Sequence, residues 1–217
     1  IPALLAGNAV VLKPDEKTTG TARLAAALLA EAGLPTDVLQ ILEGGADAGQ
    51  RVVAECDYLM FTGSTAVGRK LAAQAGERLI GFSAELGGKN PLIVLPSADP
   101  AQAARGAVGA CFSNTGQLCI SVERIFVHES VADEFTAEFV AATEALRLGQ
   151  AWTDDVGRLI SQEHLGRVSE MVTTAVSQGA RVLTGGTHEG LYYAPTVLVD
   201  VPHHADLYTR EVFGPVV

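Results

Sequence analysis

An α/β fold, in which a parallel-sheet unit leads into a second α/β unit, is predicted for this chain by three observations. Short apolar runs alternate with Ala/Leu-rich stretches of helical length. Gly and Pro punctuate the joints between them. The alternation breaks once, at Glu85-Leu86-Gly87-Gly88-Lys89-Asn90-Pro91, and then resumes.

Taken in order, Ala9-Val10-Val11-Leu12 is the first strand. Thr21 to Ala32 is helical, and Gly33-Leu34-Pro35 stops it. Strands at Val38 to Leu42 and Tyr58 to Phe61 flank a helix at Asp47 to Glu55. Thr65 to Leu79 is a third helix, capped by Ser64 or Thr65, and Ile80 to Glu85 a fourth strand. This β-α-β-α-β-α-β order implies parallel strands with right-handed crossovers covered by helices. After the break come a strand at Leu92 to Leu95, a helix from about Pro100 to Phe112 and a loop at Ser113 to Leu118. A strand at Arg124 to His128 and helices at Ala132 to Leu146 and Gln162 to Gln178 follow. Strands at Arg181 to Leu183 and Tyr193 to Val199 complete the second unit. There is no internal repeat and no low-complexity tract.

Composition narrows the function. With 217 residues, nearly half of them apolar, the chain can bury a substantial core. Its 25 acidic and 15 basic side chains give a net charge of -10, which repels phosphate backbones and argues against a nucleic-acid partner. No apolar run reaches the roughly 20 residues of a membrane helix. The three cysteines are odd in number and lack metal-type spacing, so neither a disulfide framework nor a metal site is expected. The opening residues, without a start Met or a basic stretch, do not read as a signal peptide. A cytoplasmic, reducing compartment is expected. Ile1-Pro2-Ala3-Leu4-Leu5 looks like an element already under way, and Gly214-Pro215-Val216-Val217 like a strand beginning, so both ends are expected to be cut.

Five motifs are candidates for chemistry. In Asn114-Thr115-Gly116-Gln117-Leu118-Cys119 a cysteine follows a small polar loop, whose N–H groups can stabilise a thiolate or a developing oxyanion. Read alone, a free cysteine is more often a small core residue, and Cys56 and Cys111, in or ending helical stretches, fit that meaning. Glu85-Leu86-Gly87-Gly88-Lys89 sets a carboxylate at a strand end beside paired glycines. Part-buried, it has a raised pKa and serves as a general base; solvated, it is a hinge glutamate. Phe61-Thr62-Gly63-Ser64-Thr65-Ala66-Val67-Gly68 reads strand, turn, helix N-terminus, which suits a phosphate but is also the form of a plain βα turn. Lys13-Pro14-Asp15-Glu16 follows the first strand, at the sheet end where ligands bind in such folds, and is also compatible with ordinary loop charge. Glu211-Val212-Phe213-Gly214-Pro215 by itself reads only as a loop entering a strand.

Together these motifs resemble the aldehyde dehydrogenase superfamily, in the family's order and through the whole chain. The resemblance implies a Rossmann-like cofactor domain whose C-terminal part is residues 1–87. A truncated catalytic domain, residues 88–217, would bear the nucleophile. It implies Cys119 as the nucleophile attacking the aldehyde and supplying a backbone oxyanion donor. Glu85 would be the base that activates the deacylating water. Lys13 and Glu16 would hold the adenosine ribose, and Gly63, Ser64, Thr65, Ala66, Val67 and Gly68 would line the pyrophosphate. Leu86 would join the cofactor site, Glu211 would hold the nicotinamide ribose, and Phe213 would pack beside the ring. The cofactor would be NAD or NADP: Glu16 suits a free 2′-OH, and Lys17 beside it can offset repulsion of a 2′-phosphate. The partners implied are a small aldehyde and, for the parent enzyme, further copies of itself. The family's side-chain oxyanion Asn, in a Trp-Asn segment, would precede Ile1, and a C-terminal oligomerisation strand would follow Val217. An isolated fragment without them is expected to be inactive.

The tracts Gly68-Arg69-Lys70, Arg78 to Ser83 and Ser113 to Arg124 resemble most a branch named for succinate semialdehyde. A better-known branch of that name has an Arg for the substrate carboxylate where Ser113 stands here, so the substrate is open. Two alternatives remain. A non-catalytic dinucleotide-binding protein would need neither Cys119 nor Glu85. A CoA-acylating dehydrogenase would not need Glu85.

Overall fold

The computed structural model describes residues 1–217, which divide into two units, Ile1–Leu86 and Gly87–Val217. The first unit begins with a single helical turn, α1 (Pro2–Leu5), and then alternates: β1 (Val10–Leu12), α2 (Thr19–Glu31), β2 (Leu39–Ile41), α3 (Ala46–Glu55), β3 (Tyr58–Gly63), α4 (Thr65–Glu77) and β4 (Gly81–Leu86). β1 pairs with β2 and β3 with β4, both parallel, with Val10 opposite Leu39 and Tyr58 opposite Gly81. Each helix is thus the crossover or connection that parallel pairing requires. The strands form two ladders rather than one continuous sheet.

Local chemistry explains the boundaries. α2 ends where Gly33, at φ +95, enters the left-handed region that glycine adopts without strain. Ser64 caps α4, its Oγ accepting from the Val67 N–H at 3.4 Å. The small core of this unit gathers Val53, Leu59 and Leu71, with Phe61, Ile80 and Phe82 against them.

The second unit contains β5 (Asn90–Val94), α5 (Pro100–Phe112), β6 (Val122–Val127), α6 (Glu129–Glu144), α7 (Gln162–Ser177), β7 (Arg181–Thr184), β8 (His188–Glu189), β9 (Tyr192–Tyr193), β10 (Val197–Val199) and α8 (Asp206–Thr209). β5 and β6 are parallel; β7 with β10, and β8 with β9, are antiparallel. α5 starts with Pro100 directly after Asp99, whose carboxylate accepts from the Gln102 N–H at 2.8 Å. Ala104, Ala107 and Cys111, at helical spacing, then bury one face. Phe112 and Phe135 both stack on Phe139, with centroids 6.0 and 5.6 Å away, locking α5 to α6. A second cluster, built on Leu165, Val168, Val172 and Ala175 of α7, includes Val212 and Val216. No helix is long and apolar enough to cross a membrane.

Element bounds differ from the sequence expectation in several places, and β6, for one, starts at Val122 rather than Arg124. α6 begins three residues early, because His128 Nδ1 accepts from the Ser130 N–H at 3.2 Å and caps it there. β5 reaches back to Asn90, through Pro91. The strand expected over Tyr193 to Val199 is split into β9 and β10. Ala194 and Thr196 instead bond to the flanking loops, the Ala194 N–H to Thr187 and the Thr196 N–H to Pro215, and Pro195 has no N–H to give.

Asp99 lies outside the motifs, so it tests the capping account cleanly. Asp99→Ala is expected to lower stability by about 1 kcal/mol, seen as a lower urea midpoint at unchanged slope. An unchanged midpoint would show that Pro100 alone starts α5.

Candidate active site

In the first unit Lys13 leaves β1 and turns back across the loops. Its ammonium donates to the carbonyl oxygens of Pro14 at 2.6 Å and Gly44 at 3.0 Å, and lies 3.8 Å from the Glu16 carboxylate. The two residues expected to share a ribose are therefore neighbours. Gly63 to Gly68 form the turn and first helical residues of α4. There Thr65 and Ala66, as the first positions of a helix, have N–H groups with no intrahelical acceptor. Gly68 is buried against Leu86: a Cβ on it would lie 2.6 Å from Leu86 Cδ2, so α4 packs closely on β4. Glu85 is exposed rather than part-buried, since β4 alternates and residues 81, 83 and 85 share its open face.

In the second unit the chain between α5 and β6 forms a left-handed turn. Asn114, Thr115 and Gly116 have φ of +50°, +61° and +67°. Two non-glycine residues in that region are strained, and such strain persists only where neighbours over-determine it. Here they do. The buried Thr115 hydroxyl accepts from the Gly157 N–H at 3.1 Å. Gln117 bonds to the segment at 158–160 in both directions, accepting from Ile160 N–H at 2.9 Å and donating to the Arg158 carbonyl at 3.3 Å. Gly116 is pressed onto the chain at Gly214, where a Cβ would come within 2.1 Å of the carbonyl oxygen. Beyond the turn Asn90 donates to the carbonyl oxygens of Cys119 at 2.8 Å and Ser121 at 2.9 Å. Cys119 is exposed at the end of this braced loop, and its N–H meets no acceptor. Cys111 is buried, which pushes its thiol up to about 12.

The segment Glu211–Phe213 is anchored on a buried carboxylate. Glu123, its side chain 3% exposed, accepts from the N–H groups of Val212 at 2.9 Å and Phe213 at 2.9 Å, and pairs with Lys89 at 2.7 Å. Phe213 has a φ of +57°. Its carbonyl oxygen lies 2.6 Å from His164 Nε2, while His164 Nδ1 lies 2.8 Å from the Arg167 guanidinium. Arginine only donates, which assigns Nδ1 as acceptor and gives Nε2 the proton for Phe213. Glu211 accepts from the Gly88 N–H at 3.2 Å, and a Cβ on Gly87 would lie 2.0 Å from its Oε2. Burial raises the Glu211 carboxyl above the ordinary range, against the Gly88 bond.

The whole chain, residues 1–217, matches the aldehyde dehydrogenase family. This chain is an aldehyde dehydrogenase family member. It is 52% identical to a Mycolicibacterium smegmatis protein named "Putative succinate-semialdehyde dehydrogenase", with NADP(+) as the named cofactor, over all of this chain and 43% of that protein. It is 40% identical to an NAD(+) benzaldehyde dehydrogenase of Pseudomonas putida, over 99% of this chain and 45% of that protein. The crystal structure of succinate-semialdehyde dehydrogenase from Burkholderia pseudomallei superposes with a TM-score of 0.95 at 37% identity, covering 99% of this chain and 46% of that one. The chain thus spans less than half the length of these aldehyde dehydrogenases.

Sequence reasoning missed the residues that brace the site. Glu123 stands beside Arg124 in Val122 to Val127, whose other residues are apolar, a signal that could have marked it as a buried, paired group. Gln117 and Asn90 lie within quoted motifs, but their bonds join residues 43 and 31 positions apart in sequence. His164 sits among the apolar residues of α7, and nothing in its spacing points to Phe213.

Two outcomes test this geometry. In folded protein at pH 8, iodoacetamide is expected to label Cys119 first and leave Cys111 unlabelled, as peptide mapping would show. Faster labelling of Cys111 or Cys56 would contradict the assignment. Gly116→Ala is expected to destabilise by at least about 2 kcal/mol, from positive φ and backbone overlap. A thermal midpoint equal to wild type would mean that the Gly116–Gly214 approach is dispensable.

Proposed function

We propose that the protein carrying this chain is an NAD(P)-dependent aldehyde dehydrogenase that oxidises an aldehyde to its carboxylic acid. The observation that carries the reading is the exposed Cys119, braced by Asn90 and Gln117 at the end of a strained turn, in a chain that matches the family throughout. Cys119 Sγ attacks the aldehyde carbon, and the carbonyl oxygen takes a proton to give a thiohemiacetal. The Cys119 N–H, which has no acceptor in the chain, supports the developing oxyanion. Bound NAD(P) would supply the acceptor for the hydride on the thiohemiacetal carbon, and with the hydroxyl proton lost to water that carbon becomes a thioester. Glu85 takes a proton from water, the water oxygen adds to the thioester, and the C–S bond breaks to release the acid and the Cys119 thiolate.

The residues present suit the cofactor. The N–H groups at the start of α4 can face a pyrophosphate, and Lys13 with Glu16 offers a cation and an acceptor to a ribose. Leu86 lines the same α4–β4 junction. Glu211 and Phe213, held in preset positions, suit the nicotinamide ribose and ring. The Lys13–Glu16 pairing and the adjacent Lys17 moderate the carboxylate's repulsion of a 2′-phosphate, so both NAD and NADP are candidates. Succinate semialdehyde is the first substrate to try, since the M. smegmatis relative bears its name. Ser113 offers no cation for its carboxylate. Benzaldehyde is the natural comparison.

In the complete protein, Cys119→Ala is expected to abolish aldehyde-dependent cofactor reduction. Glu85→Gln is expected to lower the steady-state rate by roughly 10²–10⁴-fold, the range for loss of a general base, while a first-turnover burst of reduced cofactor persists. Turnover by Cys119→Ala would overturn the nucleophile assignment. Loss of the burst in Glu85→Gln, with Cys119 still reactive, would move Glu85 to an earlier step.

A further inference from the structure

We propose that Glu123 is a cofactor-positioning residue: its buried carboxylate sets the conformation of Glu211–Phe213, and through it the affinity for the nicotinamide half of NAD(P). The inference rests on the dehydrogenase reading above. Glu123 touches no reacting atom; it acts through the backbone of its neighbours.

Four observations converge. First, Val212 and Phe213 direct consecutive N–H groups at Glu123, at 2.9 Å each, so both peptide planes are aimed by one side chain. Second, Phe213 is held at a φ of +57°, a backbone state a phenylalanine leaves unless clamped from both sides. Glu123 grips its N–H, and His164 Nε2 grips its carbonyl oxygen at 2.6 Å. Third, Glu123 is fixed in turn. Lys89 donates at 2.7 Å to Oε2, the oxygen that also accepts from Val212, and the Arg124 guanidinium holds the Lys89 carbonyl oxygen at 2.8 Å. Fourth, Lys89 follows directly on Gly88, whose N–H donates to Glu211. One ion pair therefore sets the Glu211 carboxylate from one side and the Phe213 ring from the other. The charge on Glu123 also adds to the burial that raises the Glu211 carboxyl.

A segment fixed before the ligand arrives binds more tightly than one that must be ordered on binding. Length and charge at position 123 separate this role from simple structural support. Glu123→Asp keeps a buried charge beside Lys89 but withdraws the acceptor by one methylene from Val212 and Phe213. The double variant Lys89→Met/Glu123→Gln removes both charges together, which buried pairs commonly tolerate, and keeps an acceptor oxygen at full length.

The experiment compares these two variants with wild type in the complete protein. It measures NAD(P) dissociation constants, KM for cofactor against kcat, Cys119 alkylation rate and thermal midpoint. The expected result is that Glu123→Asp weakens cofactor binding and raises its KM by about tenfold or more, the scale of one lost buried hydrogen bond. The double variant should stay within about threefold of wild type, and both should keep the Cys119 alkylation rate. Wild-type affinity in Glu123→Asp would overturn the proposal. So would a folded double variant that binds more weakly than Glu123→Asp, because charge and not the acceptor's reach would then matter. If Glu123→Asp does not fold, the double variant decides alone: affinity within threefold of wild type supports the acceptor role, and a larger loss overturns it. Absence of NAD(P) binding by wild type would instead defeat the dehydrogenase reading itself.

Discussion

A buried carboxylate binding two successive backbone N–H groups and one ammonium is the contact on which the second unit's functional surface depends. Glu123 and Lys89 are almost fully enclosed, with side chains 3% and 8% exposed. Burial pushes the Lys89 ammonium below the ordinary lysine value, and the carboxylate 2.7 Å away opposes that fall. Such a pair is poor evidence of net stability, because desolvation offsets most of its attraction, whereas removing one partner alone costs roughly 3–5 kcal/mol. Its value lies in geometry. It ties the strand leaving the Gly87-Gly88 pair, the strand leaving the cysteine loop, and the loop at 211–213 to one point.

The cysteine loop follows the same logic by other means. Thr115, Gln117 and Asn90 each bond to backbone at a distant stretch of the chain, and Gly116 closes the remaining gap by having no side chain. Strain in Asn114, Thr115 and Phe213 is local, while the groups that oppose its release are spread over α7, β6 and the segment at 157–160. Exposed Cys119 therefore sits on a platform that does not rely on the cysteine's own packing.

The fold was largely legible in the sequence because its main signals are local. Proline at 100 after Asp99, glycine at 33 and Ser64 before Thr65 each fix a helix end through a bond within three or four residues. The family order of the motifs was legible for the same reason. What escaped was non-local. His128 as a helix cap was missed because histidine is an uncommon acceptor in that position. The break at Ala194-Pro195-Thr196 depends on the distant Pro215, whose carbonyl oxygen accepts from the Thr196 N–H. For Glu85 the sequence left a part-buried and a solvated setting open, because strand alternation fixes which residues share a face but not which face is exposed. Glu123 fell just outside the strand expected from Arg124 and drew no notice, since one sequence does not display that two peptide groups converge on it.

The brace around the left-handed turn has a consequence for how this sequence can change. Every bond that holds Cys119 in place ends on main chain or on Thr115, Gln117 and Asn90, and none involves the side chains of the exposed residues Ser113 and Ile120 as acceptor for the loop. Ile120 makes no side-chain hydrogen bond to the loop, whereas the Ser113 hydroxyl donates to the Gly109 carbonyl oxygen at 2.6 Å and ties the loop's start to α5. Substitution of the exposed Ile120, which directly follows Cys119, can therefore change the surface beside the thiol while its scaffold is inherited intact. A single rigid frame can in this way carry different surfaces beside the same cysteine.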